Sequence, residues 1–394
     1  MFSRRTNWPL ETNPLSQSAN RRRQSGLPLL DLTESNPTRC GFEYDAVEIL
    51  KALIQPSVLR YDPDPHGPAE ACRAVTEYYA AHDAKLDARQ LFMTSSTSEA
   101  YSFLFRLLAD PGEHILIPQP GYPLFDYLAP LNDVRCVSCP LIYEGCWRID
   151  QGLMAKLAAS RPKAIVAVHP NNPTGSFVHA DEAGFLANLC REQEIALVTD
   201  EVFCDYPHPG KANGRAPTFA SERRALAFTL SGLSKICALP QMKCSWIVVN
   251  GPDDLREQAI QRLEIIADTY LSLSAPVAHA LPELLRLRNR IQSQILTRVT
   301  QNLGRLDDLI DPTSPVSRFE VEGGWNAVLR VPAIRTDEEW SVRLVETDGV
   351  LVHPGHFYGF SVEGCLVLSL LPPTDLFEEG ARKIMARVLE DTRA

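Results

Sequence analysis

Two lysines eight positions apart, Lys235 and Lys243, stand in the stretch SGLSKICALPQMKCSW at 231–246. Lys235 follows a turn of small residues, and Lys243 precedes CSWIVVNG, which reads as a strand. A lysine amine becomes a nucleophile when desolvation or a nearby cation deprotonates it. Three other segments place reactive side chains where strands end. TSSTSEA (94–100) is a hydroxyl-rich turn entering a helix, either a plain cap or a phosphate site built from exposed N–H groups and hydroxyls. In PNNPTG (170–175), Pro173 and Gly175 set a tight turn that lets Asn172 project its amide. Asp200 closes ALVTD; a carboxylate there is either solvated or holds a proton on a heteroaromatic nitrogen.

These residues need a scaffold, and the chain supplies an alternation of helices and strands from about residue 46. GPAEACRAVTEYYAAH has apolar residues at helical spacing, and KAIVAV, ALVTD, ALAFTL and CSWIVVNG are near-continuous apolar strands. Such strands between helices predict an α/β fold with a mainly parallel sheet covered on both faces, whose ligands bind at the strand ends. Near 283 the pattern changes to one long helical run, followed by shorter strands and helices. The expected division is an N-terminal arm (1–45) packed with the small domain, a large domain (46–282) and a small C-terminal α/β domain (283–394). Residues 1–30 read as polar and irregular, with the run Arg21, Arg22 and Arg23 as a solvated arm.

Together the parts suit one cofactor. A phosphate needs a helix N-terminus, hydroxyls and a cation. A pyridine ring needs a carboxylate at its nitrogen and a flat side chain over its face, and an aldehyde needs a deprotonated lysine. That combination is pyridoxal phosphate held as a lysine Schiff base. The order LDLTESNPT, NPTG, DEVF, SGLSK, CLVLSLL resembles the class I/II aminotransferase family of fold-type I pyridoxal-phosphate enzymes, and the resemblance covers nearly the whole chain.

The resemblance implies a seven-stranded-type sheet and a Schiff base at Lys235, which also shuttles the proton. It implies Asp200 at the pyridine nitrogen, Asn172 at the phenolic oxygen, Tyr122 stacked on the ring, and Ser96, Thr97 and Lys243 at the phosphate. Tyr61, in RYDPDPHG, matches a tyrosine that reaches the partner subunit's phosphate, which implies a homodimer. Asn36 falls where family members approach the substrate. The implied activity moves an amino group between an amino acid or related amine and a keto acid, in a biosynthetic role. A lyase of the same fold and a non-catalytic binding protein are the alternatives.

Four positions depart from the family pattern. Lys243 stands for an arginine and loses its two-pronged grip on phosphate. Phe203 stands for a tyrosine that donates to the cofactor, although Tyr206 is near in sequence. Gln241 replaces a turn glycine. Val367, in CLVLSLL, occupies the place of the arginine that binds the substrate carboxylate; His353, His356, Arg60, Arg4 and Asn36 are the candidates to replace it by position alone.

The bulk composition narrows the remaining classes. The 394 residues carry 39 basic and 49 acidic side chains, a net charge of −10, which argues against nucleic acid or an anionic membrane as partner. No apolar run approaches the roughly 18 residues of a membrane helix, and the first residues lack a signal-type apolar core, so a cytoplasmic location is expected. Of ten cysteines, Cys136 and Cys139 form a C-x-x-C in an apolar, strand-like setting without a second pair, which reads as packed thiols with no metal site.

Overall fold

The computed structural model describes residues 1–211 and 214–393. Its strands, in chain order, are β1 (Leu30–Asp31), β2 (Leu91–Thr94), β3 (His114–Gln119), β4 (Arg135–Tyr143), β5 (Trp147–Ile149), β6 (Ala164–Val168), β7 (Ala196–Asp200), β8 (Ala227–Gly232), β9 (Ser245–Asn250), β10 (Ser317–Arg318), β11 (Asn326–Arg330), β12 (Val350–Leu351), β13 (His353–Pro354) and β14 (Cys365–Ser369).

The large sheet runs β2-β9-β8-β7-β6-β3-β4-β5. Strands β4, β3, β6, β7 and β8 pair in parallel, while β9 and β2 join antiparallel. Seven strands make its body, and the three-residue β5 adds an antiparallel edge. The strands are apolar along both faces because both faces are covered. On β6, Ala164 and Val166 join one core cluster while Ile165 and Ala167 join the opposite one. On β9, Ile247 and Val249 face one way and Trp246 and Val248 the other. This is the two-residue period of a strand buried on both sides. The same period separates the C-x-x-C thiols: Cys136 lies against one cluster and Cys139 in the other. Among the described residues no His, Cys, Asp or Glu group could hold a metal ion.

A four-stranded antiparallel sheet, β10-β11-β14-β13, forms the C-terminal part. The N-terminal segment is stitched to it. β1 pairs in parallel with β12, and Leu32 links Leu351 to Ser369 through its N–H (2.9 Å) and carbonyl (2.7 Å). Residues 14–24 are a helix (Pro14–Gln24) capped by Asn13, rather than the irregular arm expected. The arginine run is a clamp on this helix. Arg21 bonds Glu346 at 2.9 Å, Arg22 donates to the carbonyls of Pro28, Val345 and Glu346, and Arg23 pairs with Asp31. Leu15 and Ala19 fix the same helix on Val345 and Leu351.

The helix Ala275–Leu309 begins eight residues before Glu283 and includes Pro282, so the expected boundary at 282/283 falls inside it. Burial overrides the local break at proline. Val277, Ala280, Leu281, Leu284 and Leu285 pack with residues of the helix Ala69–Ala80, and Ile291, Ile295, Val299 and Leu306 pack in the C-terminal core. No described helix is long and apolar enough to cross a membrane.

Candidate functional site

The C-terminal ends of β6, β7 and β8 and the start of the helix Thr97–Leu108 open on one cleft of about 330 Å³, and β11, β13 and β14 supply its other wall. Ser96, Thr97, Tyr122, Asn172, Asp200, Lys235 and Lys243 all line it. The sequence reading thus gathered seven residues that lie together in space, from five separate segments.

Lys235 stands on a single helical turn (Leu233–Ile236) directly after β8. Gly232 allows that turn: a Cβ there would lie 2.3 Å from Ser245 Oγ and 2.8 Å from the Cys244 carbonyl. The backbone is pinned from three sides. The Tyr206 phenol donates to the Lys235 carbonyl (2.6 Å), Gln292 to the Ile236 carbonyl (2.9 Å), and Tyr44 to the Ala238 carbonyl (2.8 Å). The Lys235 Nζ lies 4.8 Å from the Trp325 ring centroid and 5.2 Å from that of Phe203. Burial among these groups pulls the amine down from 10.5 to about 8, and the attraction of Asp200 opposes the shift only in part.

Asp200 is held by the Val202 N–H at 3.1 Å and the Tyr101 phenol at 3.2 Å. Burial raises its carboxyl from 3.8 to about 6, against those two donors and Lys235. Asn172 accepts at Oδ1 from Asn326 Nδ2 at 2.7 Å, which fixes the amide plane and leaves its own Nδ2 as the remaining donor. Ser96 is the cap of the helix Thr97–Leu108: its Oγ accepts from the Glu99 N–H at 3.2 Å, and its hydroxyl hydrogen stays free for a ligand. Both readings of TSSTSEA are therefore compatible at one residue. Ser98, Ser234 and Ser245 add hydroxyls to the lining, and Lys243 adds a cation in left-handed backbone conformation (φ 51°).

Five of the positions named from the sequence lie outside this cleft. Asn36 does not line the cleft; its Oδ1 accepts from the Thr38 N–H (3.1 Å) and hydroxyl (2.8 Å), capping a short turn. Its neighbours Thr33 and Ser35 line the cleft instead, as alternation along an extended segment requires. Tyr61 is 83% exposed and opens on a separate surface groove together with Arg60. Arg4 and His356 are exposed and do not line the cleft, whereas His353 does, bonded through Nδ1 to the Tyr358 phenol at 3.0 Å. Tyr206 does not replace the missing donor at Phe203, because its hydroxyl is engaged on Lys235.

The sequence reading missed Tyr101, Trp325, Asn326 and Tyr358. Tyr101 lies one helical turn after Thr97 and so faces the same strand ends, a signal that was available. Trp325 and Asn326 precede and begin β11, after the pair Gly323 and Gly324, and nothing local ties them to Lys235 or Asn172.

The amine, the carboxylate and the hydroxyl-lined helix start fit pyridoxal phosphate: one group each for its aldehyde, its ring nitrogen and its phosphate. Comparison with known proteins agrees with this architecture. The chain is 26% identical over 392 residues to the glutamate-pyruvate aminotransferase AlaA of Haemophilus influenzae, covering 96% of this chain and 95% of that one. An aminotransferase from Escherichia coli superposes with a TM-score of 0.87 at 22% identity, over 99% of this chain and 98% of the other. An alanine aminotransferase from Pyrococcus furiosus also gives 0.87, at 21% identity, over 99% and 100%. A sequence model of aminotransferase class I and II matches residues 28–384. The fold is accordingly that of the fold-type I aminotransferases, and the chain, an amino-group-transferring enzyme, belongs to the aminotransferase class I and II family.

Proposed function

We propose that the cleft binds pyridoxal 5′-phosphate and moves an amino group between an amine donor and a carbonyl acceptor, with Lys235 as the catalytic residue. The observation that carries this is the Lys235 amine, brought to about 8 by burial and facing the Asp200 carboxylate in a cleft entered by a helix start. When bound, the cofactor supplies an aldehyde that takes up the amino group and an electron-poor ring that spreads charge from the substrate carbon.

The chain's residues do the rest. Lys235 Nζ gives up its proton near neutral pH and so can both bond to the aldehyde carbon and move a proton at the substrate carbon. Asp200 holds a proton on the ring nitrogen, and Tyr101 and the Val202 N–H keep its carboxylate oriented. The N–H groups and hydroxyls at Ser96 and Thr97, with Lys243, bind the phosphate. Asn172 offers Nδ2 to the ring oxygen, and Tyr122 covers the ring face. Exposed Tyr61 is suited to reach a second copy of the chain, so the reading includes a homodimer and keeps the division into residues 1–45, 46–282 and 283–394. A cytoplasmic place and a biosynthetic role belong to the same reading.

The relatives' names mention glutamate, pyruvate and alanine. An amino acid and a keto acid are the corresponding substrates to test first. Protein loaded with the cofactor should show a visible absorption band that Lys235→Ala removes, and an amino donor should bleach that band. A band that survives Lys235→Ala would sink the assignment of the lysine.

A further inference from the structure

We propose that the amino donor preferred by this cleft carries an uncharged group where an α-amino acid carries its carboxylate: an amino alcohol, an amino amide or a simple primary amine. This rests on the amine-exchange reading above and deepens it.

The wall facing Lys235 is built by Thr33, Ser35, Asn326, His353, Tyr358 and Val367. None of these carries a fixed positive charge. His353 is kept neutral at ordinary pH, since burial pulls its imidazole below the usual value, and its Nδ1 is engaged by the Tyr358 phenol. Among the described residues no arginine lines the cleft, and the two lysines that do, Lys235 and Lys243, are taken up by the aldehyde and the phosphate.

Val367 shows that the wall is built this way from below. It is 2% exposed and stands in register between Val328 and His353 on three adjacent strands. It packs in an apolar cluster with Trp147, Phe319 and Phe360. A carboxylate pressed against this wall loses water and meets no cation, a strongly unfavourable exchange. A hydroxyl or amide loses much less water and finds partners in Ser35, Thr33 and the Tyr358 phenol. The geometry points to selection by the absence of charge, reinforced by an apolar floor at Val367.

The test uses the cofactor-loaded enzyme and donors that differ at one group: alanine, alaninol, alaninamide and isopropylamine. Bleaching of the visible band gives kcat/KM for each. The neutral donors should exceed alanine by about 10- to 100-fold, the range of one charge-assisted hydrogen bond that the carboxylate fails to make. A second readout needs no turnover: calorimetric binding of unreactive propionate and propionamide to the same loaded enzyme, with propionamide the tighter. Val367→Arg should reverse both orders. If that variant does not fold, the wild-type binding pair decides alone. Propionate binding tenfold tighter than propionamide overturns the proposal. So does alanine outpacing every neutral donor, or carboxylate binding that Arg60→Ala abolishes, which would trace the charge to a neighbouring subunit. Failure of all donors to bleach a band that depends on Lys235 would count against amino transfer, while the binding pair still judges the wall.

Discussion

The Tyr206 phenol donates a 2.6 Å hydrogen bond to the backbone carbonyl of Lys235, the residue whose amine faces the cleft. Tyr206 is buried and its ring packs on Trp325 at 5.0 Å between centroids. Tyr206→Phe keeps that packing and removes one of two donors to the carbonyl, which still accepts from the Ala238 N–H at 3.1 Å. The loss should be about 0.5–1.5 kcal/mol of stability. Urea denaturation checks it: the midpoint should fall while the slope stays constant, and an unchanged midpoint would show that the bond contributes nothing.

The two central ionisable groups give opposite pH dependences. Lys235 titrates near 8 in the folded protein against an ordinary 10.5. Between those values the unfolded chain binds the proton that the folded chain has shed, so this group's contribution to stability rises with pH across that window. Asp200 titrates near 6 against an ordinary 3.8. Between 3.8 and 6 the folded chain holds the extra proton, so stability from this group falls as pH rises through that window and stays reduced above it. In cofactor-free protein, Lys235→Met should flatten the alkaline slope and Asp200→Asn the acid one. Thermal unfolding across pH 3.5 to 10.5 measures both.

Trp325 is 2% exposed and forms part of the apolar surround of the Lys235 amine. Trp325→Ala should cost about 3–5 kcal/mol through the cavity it leaves. It should also let water reach Nζ and move the amine back toward 10.5. The rate at which Lys235 reacts with an aldehyde probe, followed against pH, should show its midpoint displaced upward. A midpoint still near 8 would mean that desolvation comes from other neighbours.

Gly232 tests the link between backbone and chemistry. The added methyl of Gly232→Ala meets Ser245 Oγ at 2.3 Å and the Cys244 carbonyl at 2.8 Å. Overpacking of this kind costs about 1–3 kcal/mol, and here it displaces the turn that bears Lys235. Ser245→Gly in the same background should restore only part of the stability, because the carbonyl remains.

The sheet was readable because its strands are short apolar runs, and the site was readable because its groups follow those runs at the strand ends. Asp200, Asn172 and Lys235 each close a strand or follow it within a few residues. What stayed hidden was made by pairing distant segments. Asn326 lies 154 positions from Asn172, whose amide it orients. The run at 21–23 looked like free charge because the Glu346 carboxylate that Arg21 bonds and the carbonyls of Val345 and Glu346 that Arg22 bonds come more than 300 positions later. Asn36 failed for a local reason: extended backbone turns alternate side chains, and a turn two residues later claims its amide. The change of pattern near 283 suggested a domain boundary beside Pro282, and tertiary packing on both sides of that proline carries one helix through it.

That helix has a mechanical meaning. At 1.5 Å per residue, its 35 residues make a rod of about 52 Å. The first third is bolted to the framework that holds Lys235, and the remainder is bolted to the sheet that carries Val367 and Asn326. The two jaws of the cleft thus share one spar. Narrowing the gap between them means flexing this spar between Leu285, the last residue packed on the first framework, and Ile291, the first packed on the second.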